Sequence, residues 1–216
     1  MNRKTLLLAS ALAASAPIAS AYNTGDIVVR AGLTTVAPDE SSSNVYVANS
    51  DLGVGVGVDN DTQLGLNIAY FLSPNWALEL LAATPFEHDI TLDTVGSLGS
   101  SKHLPPTLSA NYHFGSAMDS FQPYVGLGIN YTVFFDEEFT GANRQAGFSQ
   151  LKLDNSFGLS AQAGFDYILN DNWLVNASVR YIDINTQATF DLNGSKGSVD
   201  VDIDPFVYSL TVGYKF

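Results

Sequence analysis

The chain of 216 residues contains no cysteine. That excludes a disulfide framework, a thiolate metal site and a cysteine nucleophile. Basic residues are scarce: nine Lys and Arg stand against 22 Asp and Glu, for a net charge of −13. Neutralising nucleic-acid phosphates needs a basic patch, so the balance argues against nucleic acid as a partner. Charged residues of either sign reach only 14%, below the average for a soluble globular domain. Long apolar runs are missing too, and without about 18 consecutive apolar residues there is no spanning helix.

What is present is alternation. From Phe206 to Phe216, the residues Phe206, Tyr208, Leu210, Val212, Tyr214 and Phe216 share one face, and Val207, Ser209, Thr211, Gly213 and Lys215 the other. Period two over about 9–11 residues is the pattern of a tilted membrane-spanning β-strand. The amino terminus agrees with export: Asn2, Arg3 and Lys4 are followed by a mostly apolar Thr5 to Pro17 and by Ala19-Ser20-Ala21, an A-x-A cleavage site. Residues 1–21 are therefore expected to be a cleaved signal peptide, with a single barrel domain over 22–216. Losing Arg3 and Lys4 would take the net charge from −13 to −15. The mean hydropathy of +0.09 suits strands with one face toward lipid and the other toward a lumen. In hydrocarbon only helices and closed barrels satisfy every backbone group, and helices are absent from the pattern.

Strand number follows from an internal echo. Tyr70 to Trp76 (YFLSPNW) recurs in type as Tyr167 to Trp173 (YILNDNW), with the tryptophans at 76 and 173, 97 positions apart. At about two dozen residues per strand and connection that offset is four strands, and the 195 residues from 22 to 216 give eight. The predicted fold is all-β, an eight-stranded antiparallel transmembrane β-barrel. Its strands are expected near 24–37, 61–72, 75–90, 103–114, 121–135, 152–168, 172–190 and 199–216.

The lipid face must be the continuously apolar parity, which runs through Leu64, Leu66 and Ile68, through Leu127 and Ile129, and through Val175 and Val179. Trp76, Trp173, Tyr70, Tyr167, Phe114 and Phe216 gather at the short-turn end as a periplasmic aromatic girdle. The opposite parity lists the lumen. Toward the periplasm it carries Arg30, Asn67, Glu79, Asn111, His113, Gln162, Asp166, Asn176, Arg180 and Lys215. Of these, Arg30, Glu79, His113, Asp166 and Arg180 are expected to form a polar floor. Further out come Phe134, Ile182, Ile184, Phe190, Val201 and Ile203, with Leu81 at the boundary, as candidate contacts for a hydrophobic ligand. Eight strands enclose room for side chains or one small ligand, which excludes a water-filled porin.

Three segments carry a family resemblance: Lys102 to Leu108 (KHLPPTL), Phe121 to Tyr131 (FQPYVGLGINY) and Asp171 to Asn176 (DNWLVN). With Leu80 to Phe86 (LLAATPF) and the closing Val212 to Phe216 (VGYKF), they closely resemble the outer membrane protein W (OmpW) family, related to AlkL-type alkane-uptake barrels. The resemblance implies a narrow hydrophobic lumen passing small apolar compounds, with lateral release through the barrel wall as the proposed route. Inward Glu79 and Arg180 depart from a uniformly apolar pore and favour sideways release. Pro105 and Pro106 either begin a strand or loosen the wall, since each removes a ladder donor.

Other chemistry is thin. His88, His103 and His113 lack the helical i, i+4 spacing of a zinc site, and no nucleophile motif accompanies His113 with Ser109, Ser160 and Asp166. No metal, cofactor or enzymatic activity is expected. Asp136-Glu137-Glu138 and Asp200, Asp202 and Asp204 read as solvated rim or as groups sharing divalent cations with lipopolysaccharide phosphates. The expected partners are outer-membrane lipid and lipopolysaccharide, small hydrophobic molecules and the barrel assembly machinery. A passive conduit, a structural or receptor barrel with a plugged lumen, and a lipid-acting barrel enzyme are the three function classes the residues leave open.

Overall fold

The computed structural model describes residues 21–92, 96–116 and 119–216. All but Ala21 of the expected leader lies outside the described residues. Eight strands close into an antiparallel ring: Ile27–Ala37, Asp61–Phe71, Trp76–Ala83, Thr107–His113, Phe121–Phe139, Ser156–Ile168, Trp173–Ile182 and Phe206–Lys215. They are called the first to eighth strands below. Each pairs with its neighbours in sequence, and the first pairs with the eighth, Val29 opposite Tyr214 and Leu33 opposite Leu210. Closure leaves no edge strand in the membrane, which is what hydrocarbon demands of a sheet.

The echo at 76 and 173 is a repeated turn. Leu72 N–H donates to the Trp76 carbonyl and Leu169 N–H to the Trp173 carbonyl, both at 2.8 Å. At the same end Trp76 packs edge-on to Tyr112 and Trp173 to Tyr214, with ring centroids 5.1 and 5.0 Å apart. The lipid-facing parity is exposed as the alternation requires, up to 72% for Leu127 and 70% for Phe216. In the wall, the Tyr124 ring lies where a side chain on Gly164 would have to go, 2.7 Å from its notional Cβ.

Beyond the outward apolar band the wall continues as a second tier. It consists of Phe86–Leu92 and Gly96–Leu104, the outer part of the fifth strand, Phe148–Leu153, and the hairpin Asn185–Leu192 with Ser195–Asp202. Its outward residues include Glu87 and Asp89, both exposed, so this tier stands clear of the hydrocarbon. One helical turn, Gly141–Gln145, follows the fifth strand and is capped by the Thr140 hydroxyl accepting from Asn143 N–H.

Five of the expected strands run across a break between two observed ones. The stretch 75–90 breaks at Thr84-Pro85, 152–168 at Asp154-Asn155, 172–190 at Asp183-Ile184, and 199–216 at Ile203 to Pro205. His103, expected to begin the fourth strand, ends Gly96–Leu104 instead, because Pro105 and Pro106 interrupt the ladder before Thr107. Lys215 sits half-buried at the periplasmic edge, where its Nζ donates to the Ala21 carbonyl and lies 3.9 Å from Asp26 Oδ2.

Candidate functional site: a stratified lumen

The lumen is built in layers. Lowest is a polar layer drawn from strands on opposite sides of the barrel. Arg30 of the first strand makes a two-pronged contact to Asp166 of the sixth, Nη2 to Oδ2 at 2.7 Å and Nε to Oδ1 at 3.1 Å. Its Nη1 reaches Glu79 of the third strand at 3.0 Å. Glu79 also accepts from Arg180 of the seventh strand at 2.6 Å, and Gln162 Oε1 accepts from Arg180 Nε at 3.0 Å. Asn176 donates to Asp166 at 2.8 Å, and the Tyr22 hydroxyl also donates to Asp166.

All four charged groups are buried, at 4% exposure or less. Two guanidiniums face two carboxylates, so the layer is close to neutral. Each charge is held by at least one opposite charge and by further hydrogen bonds, the condition under which a buried ionic cluster survives desolvation. Below it, Tyr22 stacks on Phe71 with centroids 3.8 Å apart, and His113 packs against Tyr22, Phe71 and Tyr124. Neither His113 ring nitrogen has a hydrogen-bond partner, and Ser109 Oγ has none. The Ser109–His113–Asp166 arrangement that a hydrolase would need is therefore not assembled.

Above the floor is a cavity of about 10 Å³ lined by Leu81, Ile182, Thr34, Val36, Phe86 and Pro105, among others. It abuts the break in the wall between the third and fourth strands. Pairing there stops at Leu81 opposite Thr107 and resumes at Phe86 opposite His103. The residues between, 82–85 on one side and 104–106 on the other, include Pro85, Pro105 and Pro106, none of which has an N–H to donate.

The top layer is an apolar cavity of about 70 Å³. Phe134, Phe190, Val201 and Ile203 line it, as the inward parity predicts. Ile184 is buried in the same apolar cluster but lines neither cavity, while Leu81 and Ile182 line the lower one. The sequence reading missed Val45, Val47, Leu52, Val56 and Val58, which form part of the upper wall. The signal was available: from Leu52 to Val58 Gly and apolar residues alternate, with only Leu, Val and Gly present. It also missed Tyr22, Phe71 and Tyr124 in the floor.

The acidic rim is spoken for locally. Asp136 faces Lys102 at 3.3 Å, Glu138 faces Arg144 at 3.6 Å, and Asp204 accepts from the Tyr181 hydroxyl at 2.9 Å. Among the described residues no group of three or more His, Asp and Glu is placed to hold a metal ion.

Known proteins share this barrel fold. A family model described as the OmpW family matches residues 23–216. Outer membrane protein W of Vibrio cholerae serotype O1 is 48% identical, covering 94% of this chain and 93% of its own. Outer membrane protein AlkL of Ectopseudomonas oleovorans is 30% identical over 90% of this chain and 84% of its own. The crystal structure of the outer membrane protein OprG from Pseudomonas aeruginosa superposes with a TM-score of 0.89 at 44% identity, covering 92% of this chain and 99% of that one. Barrels of this kind are not enzymes and reside in the bacterial outer membrane. Match and geometry agree along the whole barrel: the chain belongs to the OmpW family.

Proposed function

We propose that the protein is a passive conduit for small hydrophobic molecules, taken up through the apolar outer cavity and released sideways into the membrane. The observation that carries this reading is the order of the layers: an apolar cavity lies outermost, and a buried layer of paired charges lies beneath it. An apolar molecule gains roughly 25 cal/mol for each Å² it removes from water in the upper layer. To continue straight through it would have to displace paired charges, at far greater cost. The wall at 82–85 and 104–106, poor in backbone donors, is the weaker barrier. Relationship to AlkL favours the same class of cargo.

Contact with lipopolysaccharide at the rim, delivery by the barrel assembly machinery, and cleavage after Ala21 to leave one domain from Tyr22 belong to the same proposal. A structural or receptor barrel is the second reading, and the filled floor is what favours it. The two part on Val201→Asp, which puts an unpaired carboxylate into the upper cavity. Under the conduit reading, cells carrying well-assembled Val201→Asp protein lose most of their protein-dependent uptake of an apolar tracer. Undiminished uptake would leave the plugged barrel standing.

A further inference from the structure

The upper cavity is apolar except along one arc of its wall, where His88, Ser101 and His103 come from the paired segments Phe86–Leu92 and Gly96–Leu104. The two imidazoles stack face to face, with centroids 5.0 Å apart and planes 19° from parallel. Phe86 and Phe134 extend the stack from His103, at 5.5 and 5.8 Å. Parallel rings do not aim their lone pairs at a common point, so the pair is poorly arranged to share a metal ion.

His88 is the informative member. It is 5% exposed, and its Nδ1 lies 2.6 Å from the Asp59 carbonyl oxygen. A carbonyl can only accept, so Nδ1 carries the proton. In the neutral ring Nε2 is then a bare acceptor. That Nε2 is buried and has no hydrogen-bond partner. A buried acceptor left unmatched is destabilising, and native proteins rarely keep one without a use.

We infer that the upper cavity selects apolar molecules bearing a single hydrogen-bond donor, such as an aliphatic alcohol, whose hydroxyl is received by His88 Nε2 while its hydrocarbon chain lies against Phe190, Val201 and Ile203. The inference rests on the conduit reading and narrows its cargo. Ser101 is the weaker candidate for this role, because its hydroxyl is directed to the Lys102 carbonyl at 3.4 Å.

The test compares 1-hexanol with heptane, which have the same number of heavy atoms, on protein in lipid nanodiscs. For each probe the affinity is measured for the wild type and for His88→Phe, which keeps a stacking ring and removes the acceptor. Dividing the alcohol-to-alkane preference of the wild type by that of the variant cancels partition into lipid. A factor of about ten in favour of the wild type is expected for one buried hydrogen bond. In parallel, the ¹⁵N resonance of His88 Nε2 in the wild type should shift with 1-hexanol and stay in place with heptane, a result that does not depend on the variant folding. Binding of both probes with a ratio near one, or an Nε2 resonance indifferent to the alcohol, would overturn the inference and leave the conduit reading intact. Failure of both probes to bind the wild type would overturn the two together.

Discussion

Glu79 is the hinge of the ionic floor, since it accepts from Arg30 at 3.0 Å and from Arg180 at 2.6 Å. Glu79→Ala removes both contacts. Arg30 keeps its two-pronged grip on Asp166, but Arg180 is left with Gln162 alone among its partners. The floor goes from two charges of each sign to an excess of one positive charge. Breaking a buried pair by deleting one member costs about 3–5 kcal/mol when the orphaned charge stays dry. A floor bordering the periplasm can reduce that cost by admitting water and anions. The expected outcome has two parts: lower resistance to urea, and a small-ion conductance in planar bilayers that the wild type lacks. The sign of selectivity is the sharper readout. In a KCl gradient Glu79→Ala should show a reversal potential favouring chloride, whereas Arg180→Ala, which leaves an excess of one carboxylate, should favour potassium and still bind hydrophobes. Two variants that remain as insulating as the wild type, or that share one sign of selectivity, would show that the floor is not the barrier.

Leu127→Arg places a cation on the lipid face at an exposed position of the fifth strand; a loss of about 2–4 kcal/mol should appear as reduced folded protein in a heat-modifiability gel, with Leu127→Phe tolerated. Deleting Phe216, whose N–H donates to the Ile27 carbonyl at the first-to-eighth seam, should lower outer-membrane levels more than Lys215→Ala, as surface labelling would report. His103, in the tier clear of the hydrocarbon, has its pKa lowered by burial, with help from His88 and against Asp61, from 6.5 to about 3. The folded outer tier therefore resists a proton that the opened state accepts: its stability is full above about pH 6.5 and declines as pH falls toward 3, by about 3 kcal/mol at pH 4. Limited proteolysis of the outer tier should accelerate between pH 7 and 4 in the wild type and much less in His103→Phe, which preserves the stack.

The eight membrane strands were legible because lipid permits one reading: a face that must be apolar over its whole length leaves the other parity as lumen, and Arg30, Glu79, Asp166 and Arg180 all fell on it. The outer tier was less legible for the same reason. Above the hydrocarbon no lipid constrains the outward face: across Thr84-Pro85 the inward parity passes from Leu81 to Phe86 and His88, so Glu87 and Asp89 stand outward, while through Ile203 to Pro205, where the chain changes sheets, the alternation runs on unbroken. Val45 to Val58 escaped because its strands are only two or three residues long, and the alternation from Leu52 to Val58 sets Gly rather than polar residues against the valines, unlike the spanning strands. The stack of Phe86, His88, His103 and Phe134 depends on register between segments, which composition does not report. Tyr22 lay at the very edge of the expected leader, where an aromatic residue carries no pattern at all.

The ionic floor also bears on how the barrel is made. Its members come from the first, third, sixth and seventh strands, so none of the charge pairs forms within a single hairpin. Until the first strand meets the eighth, a half-built sheet lying in lipid would present two guanidiniums and two carboxylates to hydrocarbon. Such an intermediate is unstable in a bare bilayer, and the ladder and the cross-barrel ties must arrive nearly together. Assembly of this protein should thus be concerted, and sensitive to a scaffold that keeps the unfinished lumen wet until the last seam is zipped.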